Sequence, residues 1–274
     1  MEILALRQNS GYKDFSSPNR PRYITRITKD TVLKFSRDVT EDEEAECPSE
    51  ALALQLVSEQ TTIPVPQIRR VVKASSSLIA MEYIPGQQLS VVWPTLSWFG
   101  RLRVAFIIRS YVQQLRKIEH PRSSVPGPLA SPSEGGMVCQ SPLFGPVIDC
   151  RGPFETYADL TNFFNDCLSQ ILISEGSSTS LGSLTTFDNS QPLVFCNQYL
   201  DPDNFIVGDD GQLWLVDWPF AGFYPPWFEF ATMRIQAKYD KQYPHWGAII
   251  PLVCGWYFEQ ERWLKSIVLS LSWI

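Results

Sequence analysis

Three consecutive polar residues between Val194 and Glu229 could do chemistry together. Asn197, Gln198 and Tyr199 supply hydrogen-bond donors and acceptors, and none of them is charged at neutral pH. A site that acts on an uncharged substrate uses groups of this kind. The alternative is that Tyr199 is a packing residue, like the many aromatic side chains that follow it. The stretch therefore indicates either a neutral binding site or part of a core.

The residues ahead of this stretch predict a small strand-rich part with one helix. Residues Tyr23 to Phe35 are rich in β-branched side chains around a Lys29-Asp30 turn, which is typical of two short strands. We expect a helix from Ser49, as its N-cap, to about Glu59. The prolines of Ile63 to Pro66 should end that helix, since proline cannot continue it. Two more predicted strands cover residues 68–72 and 78–83.

The rest of the chain is mostly helical in pattern. Phe99 to Glu119 has apolar residues near a period of 3.6, and Thr156 could cap a second helix to about Ile173. Short apolar strands are predicted at residues 193–196, 205–207 and 213–216, followed by helices from about Trp227 onwards. The predicted fold is thus α+β and bilobal. Residues 1–86 form a small β-rich lobe, and residues 87–274 form a larger, mainly helical lobe with a hairpin at residues 193–217.

The composition narrows the class of protein. The chain has 274 residues and a net charge of −6, whereas nucleic acid or an anionic membrane as the main partner would select for a basic face. The six cysteines form no C-x-x-C pair and only two histidines are present, so we expect no zinc and no other bound metal. No secretory leader and no apolar stretch of membrane-spanning length is recognisable. We expect a cytoplasmic protein whose partner is a small-molecule substrate, and the oligomeric state stays open.

The stretch from Val194 to Glu229 resembles the catalytic half of the fungal aminoglycoside-phosphotransferase-like family, which has the protein-kinase-like fold. The family pattern is a histidine, a glycine or glutamine, an aspartate and a leucine, then Pro-x-Asn, a hairpin, an Asp-Trp pair, and Ala-Gly-Phe with prolines. The residues in register are Leu200, Pro202, Asn204, Asp217, Trp218, Ala221, Gly222, Phe223, Pro225 and Glu229. Val32 to Lys34, Ile63 to Pro66 and Met81 to Gly86 also resemble family segments.

The resemblance implies a site for phosphoryl transfer. Lys34 corresponds to the lysine that contacts nucleotide phosphates, and Glu50 to the helix glutamate that holds this lysine. Asn204 and Asp217 correspond to magnesium ligands, although hydrogen bonds within the loop and hairpin would explain both residues equally well. The expected substrate- or nucleotide-binding residues are Lys34, Glu50, Gln198, Asn204 and Trp218.

The sequence departs from the family where the proton of the attacking hydroxyl is accepted. Asn197 replaces the family histidine, and Tyr199 replaces the catalytic aspartate. A phenol with an ordinary pKa near 10 is ionised to only about one part in a thousand at neutral pH. The loss of a positioned general base costs about 10²- to 10⁴-fold in rate. Asp201 and Asp203 lie nearby but out of register with the family residue.

Three functions fit this sequence. The first is a repurposed kinase-fold enzyme without a cofactor, in which Tyr199, Asn197 and Asp217 act on an apolar natural-product type of molecule by cyclisation, isomerisation or a pericyclic reaction. The second is an ATP- and magnesium-dependent small-molecule phosphotransferase that tolerates Tyr199. The third is a non-catalytic, pseudokinase-like binding protein. We expect the first, because Tyr199 stands in place of the catalytic aspartate. Nucleotide binding should be weak or absent, because Gly11 is the only glycine before Gly86 and no glycine-rich phosphate loop is recognisable.

Overall fold

Four short strands form an antiparallel sheet in the first part of the chain. The computed structural model describes residues 24–35, 47–72, 77–130, 136–145, 151–174, 186–239 and 243–271, so Gly11 and Tyr23 lie outside it. The strands are β1 (Ile24–Thr28), β2 (Thr31–Phe35), β3 (Ile68–Val72) and β4 (Leu78–Glu82), in the order β1-β2-β4-β3. The predicted Lys29-Asp30 turn joins β1 to β2. Lys34 lies in β2 between Ile24 of β1 and Ile79 of β4.

Helix α1 (Ser49–Gln60) follows this first hairpin and packs its small and apolar residues inward. The predicted N-cap, Ser49, is wrong. The helix already begins at Ser49, and Pro48 is the capping position, because its carbonyl accepts the backbone N–H groups of Ala51 (2.9 Å) and Leu52 (3.1 Å). As a result Glu50 lies in the first turn, near the positive end of the helix dipole.

The remaining elements are mostly helical, with two three-stranded sheets among them. They are β5 (Gly86–Gln88), α2 (Leu89–Val92), α3 (Trp98–Leu115), β6 (Gly127–Pro128), α4 (Tyr157–Ser174), β7 (Val194–Cys196), β8 (Phe205–Gly208), β9 (Leu213–Leu215), β10 (Gly222–Tyr224), α5 (Trp227–Tyr239), α6 (Trp246–Cys254) and α7 (Phe258–Leu271). The sheets have the orders β6-β10-β7 and β5-β8-β9. The α+β fold, with a small antiparallel sheet first and a helical region after it, is therefore confirmed.

Local signals in the sequence explain where two helices start. Thr156 caps α4 as predicted: its hydroxyl accepts the backbone N–H of Asp159 (3.2 Å), and the Asp159 carboxylate accepts the backbone N–H of Thr156 (2.8 Å). Ser97 caps α3 in the same manner through the N–H of Gly100 (3.2 Å). The apolar period of α3 predicts the helix but not the burial of each apolar residue, since Phe106 is 56% exposed.

The hairpin β8–β9 forms a sheet with β5, the short strand that follows the four-stranded sheet in the chain. β5 pairs with β8, and Gly86 meets this strand so closely that a Cβ atom there would lie 2.3 Å from the carbonyl oxygen of Val207. One apolar core runs through both regions and includes Val57 of α1, Ile79 of β4 and Ile108 of α3. Among the helices of the described residues, none is long and apolar enough to span a membrane.

Candidate functional site

The site is centred on an ion cluster built from three separate parts of the chain. The Nζ atom of Lys34 donates to Oε1 of Glu50 and to Oδ1 of Asp217. Lys34 and Glu50 are buried, and the Asp217 side chain is 13% exposed. The lysine comes from the middle of β2, the glutamate from the first turn of α1, and the aspartate from the chain just after β9. The expected pairing of Lys34 with Glu50 and its proximity to Asp217 are both observed.

Backbone geometry fixes the two carboxylates around Lys34. Asp217 has a φ of 66°, in the left-handed region that residues other than glycine rarely adopt. Directly after this turn, the backbone N–H of Trp218 donates to Oε1 of Glu50 (3.0 Å). Glu50 therefore ties α1 to β2 and also to the segment after β9.

The charges of this cluster do not balance. Burial alone lowers the pKa of Lys34, but the carboxylates of Asp217 and Glu50 raise it by more, so its pKa lies above the ordinary value and the lysine stays protonated. Burial raises the pKa of Glu50, and Lys34 offsets only part of this. Among the described residues, none forms a hydrogen bond with the second oxygen of Glu50. One ammonium facing two carboxylates leaves a net negative charge, which a proton or a cation would compensate.

The loop after β7 is bound through its backbone by Glu229 of α5. The two carboxylate oxygens of Glu229 accept the backbone N–H groups of Asn197 (2.8 Å) and Gln198 (2.9 Å). Asn197 then accepts the backbone N–H of Tyr199 through its Oδ1 (2.9 Å), and Asn204 donates its Nδ2 to the carbonyl of Tyr199 (2.9 Å). The peptide groups on both sides of Tyr199 are thereby fixed.

The side chains of Asn197 and Gln198 lie inside this loop and not on its surface. Both residues are fully buried. Gln198 has a φ of 58° and donates its Nε2 to the carbonyl of Phe220 (3.2 Å). The sequence predicted Asn197 as a catalytic residue that orients the Tyr199 hydroxyl, and Gln198 as a substrate contact. The structure differs from this: both act on Tyr199 and Phe220 through backbone groups.

Tyr199 presents a partly exposed ring at the position of the family aspartate. The ring packs against Phe220, with 5.0 Å between the ring centroids. The two carboxylates closest in sequence are engaged within the fold. Asp201 is 3% exposed and accepts the backbone N–H of Asp203 (2.9 Å), while Asp203 accepts the hydroxyl of Tyr243 (3.0 Å). Each of these carboxylates thus accepts a hydrogen bond from another group of the fold.

Trp218 does not line a pocket, contrary to the expectation from the sequence. Its side chain is fully buried and its indole N–H donates to the carbonyl of Leu215 (3.2 Å). Burying so large a ring contributes about 2–3 kcal/mol to folding, so the residue is part of the core. Sequence reasoning placed Phe220 in a run of aromatic residues typical of a core and gave no role to Tyr243.

Two further findings concern ligands. Within the described ranges, no group of three or more His, Cys, Asp or Glu side chains could hold a metal ion. A cleft of about 340 Å³ lies elsewhere on the surface, between the segment before β7 and the helices α5 and α7. Its lining residues are Thr186, Phe187, Asp188, Asn189, Ser190, Trp227, Glu259, Gln260 and Trp263. None of the predicted site residues is among them.

The arrangement of a small sheet with α1, a hairpin after the loop that follows β7 and a helical remainder defines the class of the fold. It is the protein-kinase-like fold of aminoglycoside phosphotransferases. A mutant of aminoglycoside 2′-phosphotransferase-IIIa bound to GDP superposes with a TM-score of 0.54 at 13% identity, over 98% of this chain and 85% of the other. The streptomycin–ATP complex of APH(2″)-IIa gives 0.52 at 14% identity, over 92% and 84%.

A thermostable mutant of APH(4)-Ia without ligand gives a TM-score of 0.50 at 12% identity, over 98% of this chain and 97% of the other. No protein-family model and no curated protein matches the sequence. At these identities the likeness shows the fold alone. The predicted aminoglycoside-phosphotransferase-like fold is thus confirmed, whereas a fungal branch stays a prediction.

Proposed function

We propose that this protein is an enzyme that uses a kinase-type cleft for chemistry other than phosphoryl transfer, on an apolar small molecule. The observation that carries the proposal is the neutral, aromatic character of the position where a kinase places its proton acceptor. Tyr199 packs on Phe220 there, while the Asp201 carboxylate accepts the backbone N–H of Asp203 and the Asp203 carboxylate accepts the hydroxyl of Tyr243. Without a positioned base, transfer to a hydroxyl loses a large part of its acceleration.

The loop geometry supports a reaction that relies on shape and a few hydrogen bonds. Asn197 and Gln198 are turned inward, so the partly exposed groups at this point are the rings of Tyr199 and Phe220. Such a surface desolvates an apolar substrate and holds it in a reactive conformation. Cyclisation, isomerisation and pericyclic reactions need this more than they need a carboxylate base.

A second candidate, an ATP- and magnesium-dependent phosphotransferase, is favoured by a different observation. Asn204 uses its Nδ2 to bind the carbonyl of Tyr199, so its side-chain oxygen is left as the acceptor. An amide oxygen together with the Asp217 carboxylate fits the oxygen ligands that Mg²⁺ prefers. Lys34, held by Glu50, would supply the positive charge for nucleotide phosphates. These residues are of the types that a magnesium nucleotide requires.

The mass balance of the reaction distinguishes the two candidates. Cyclisation and isomerisation leave the mass of the substrate unchanged, whereas phosphoryl transfer adds a phosphate group. Deletion of the gene in its native host, followed by mass spectrometry of cell extracts, should show that a precursor accumulates and that an isomer of it disappears. Purified protein added to that precursor without nucleotide should restore the isomer. Loss of a phosphorylated compound, or restoration that needs ATP and magnesium, would establish the second candidate.

Calorimetry provides an independent test. We expect no heat of binding when ATP and magnesium are titrated into the protein at micromolar concentrations. Binding in this range that is abolished by Lys34→Met, together with transfer to any hydroxyl compound, would contradict the first proposal. Lys265→Met is the matched control, since Lys265 also pairs with a glutamate but is 59% exposed on α7.

A further inference from the structure

Glu229 is a buried carboxylate that the proposed chemistry does not use. It lies in the first turn of α5 and is 1% exposed. Its oxygens accept two backbone N–H groups, from Asn197 and Gln198, at 2.8 and 2.9 Å. A carboxylate that is removed from water and spends both oxygens on one loop fixes the position of that loop.

The hydrogen bonds that start at Glu229 lead to the residues that carry both partly exposed rings of the site, Tyr199 and Phe220. Asn197, once its N–H is held, binds the N–H of Tyr199 with its side chain. Gln198, once its N–H is held, binds the carbonyl of Phe220 with its side chain. The rings of Tyr199 and Phe220 pack on each other. The position of each ring therefore depends on one oxygen of the same carboxylate: the oxygen that binds Asn197 for Tyr199, and the oxygen that binds Gln198 for Phe220.

We propose that Glu229 is a positioning residue: its ionised carboxylate sets the loop that carries Tyr199, and protonation of Glu229 weakens one of the two hydrogen bonds that hold that loop. The inference rests on the proposed function only in so far as Tyr199 contacts the substrate. An ionised carboxylate accepts at both oxygens, but a carboxylic acid carries an O–H group on one of them. The protonated oxygen is a weaker acceptor for a backbone N–H, and its O–H needs an acceptor of its own, so one of the two bonds is weakened.

The surroundings of Glu229 place its protonation in the neutral range. Burial raises the pKa of Glu229 to about 7, against the opposing effect of the two N–H groups that it accepts and of Arg116. Arg116, at the end of α3, gives its own hydrogen bonds to the carbonyls of Pro226 (3.1 Å) and Cys254 (2.7 Å). The titratable thiols on this side are Cys196 of β7 and Cys254 of α6, and burial raises the pKa of both well above the ordinary value. Both thiols are thus neutral where Glu229 titrates.

The test is a pH titration of the ¹⁵N-labelled protein by NMR, which needs no substrate. In the wild type we expect the backbone N–H signals of Asn197 and Gln198 to move with one common midpoint near pH 7. Glu229→Gln should abolish this movement, because its amide group carries no titrating proton. Glu229→Asp restores a carboxyl group and should restore a titration. Glu261→Gln is the matched control: Glu261 is also buried, but it pairs with Arg234 and Lys265, so its loss should leave the titration unchanged.

Three outcomes would overturn the inference. They are an absence of the transition in the wild type, its persistence in Glu229→Gln, and its loss in Glu261→Gln. If Glu229→Gln does not fold, the wild type, Glu229→Asp and Glu261→Gln decide the question, and an unchanged midpoint in Glu229→Asp contradicts the inference. Because these measurements follow loop geometry without any substrate, a failure of the proposed non-phosphoryl reaction would leave their result intact.

Discussion

Lys34 donates to the carboxylate of Asp217 across a sequence separation of 183 residues. The same ammonium group donates to Glu50, so one lysine joins β2, α1 and the segment after β9. Its buried ammonium group thus links the small sheet to the larger helical region by hydrogen bonds. Changes at Lys34 should therefore affect the stability of the whole fold as well as any ligand binding.

Lys34→Met should reduce the free energy of unfolding by about 3–5 kcal/mol, since it leaves two carboxylates without their buried counter-charge. Urea denaturation followed by tryptophan fluorescence would measure this. Lys265→Met should cost about 1 kcal/mol or less, because the Lys265 side chain is 59% exposed. Equal losses in the two variants would show that the buried cluster does not contribute as described.

Glu229 predicts a dependence of stability on pH with a defined sign. Its pKa in the folded protein is raised to about 7, so folding favours the protonated form. The contribution to stability is complete below the ordinary glutamate pKa of about 4.3 and is lost as the pH rises through 7, by on the order of 3 kcal/mol. The difference in unfolding free energy between wild type and Glu229→Gln should fall over this range. A difference that rises with pH would contradict the raised pKa.

Asn204→Asp should loosen the loop, because it replaces the Nδ2 donor with an oxygen that faces the carbonyl of Tyr199. We expect a loss of about 1–3 kcal/mol in unfolding free energy. Asn189→Asp is the control: the exposed Asn189 makes a longer bond of 3.3 Å to Thr161, and its change should stay within about 0.5 kcal/mol. If both variants lose the same stability, the bond to Tyr199 is not important for the loop.

Substitutions of Tyr199 separate two uses of its side chain. Tyr199→Ala removes the ring that packs on Phe220 and should impair turnover of the native substrate more than Tyr199→Phe. If the hydroxyl donates to the substrate, Tyr199→Phe should raise the barrier in kcat/KM by about 1–3 kcal/mol. Tyr199→Asp should also impair turnover, since it places a carboxylate beside an apolar substrate. Full activity of Tyr199→Asp would refute a repurposed site.

Much of the fold was predictable because it depends on local signals. Period-two and period-3.6 patterns, the Lys29-Asp30 turn and the Thr156 cap all act within a few residues of themselves. Ser49 shows the limit of such signals, since the carbonyl of Pro48 receives the first helical hydrogen bonds. The aromatic residues were harder to place, because Trp218 and Phe220 have similar side chains and only one of them is buried completely.

The sequence by itself determined which groups are present: a lysine on a strand, a glutamate at the start of a helix, and a tyrosine where the resembling family has an aspartate. Only the tertiary structure decided how these groups are used. It brought Asp217 to Lys34, turned the side chains of Asn197 and Gln198 inward, and placed Glu229 under their peptide groups. The physical reason is that burial and hydrogen-bond direction depend on segments far apart in the chain, whose meeting no local pattern encodes.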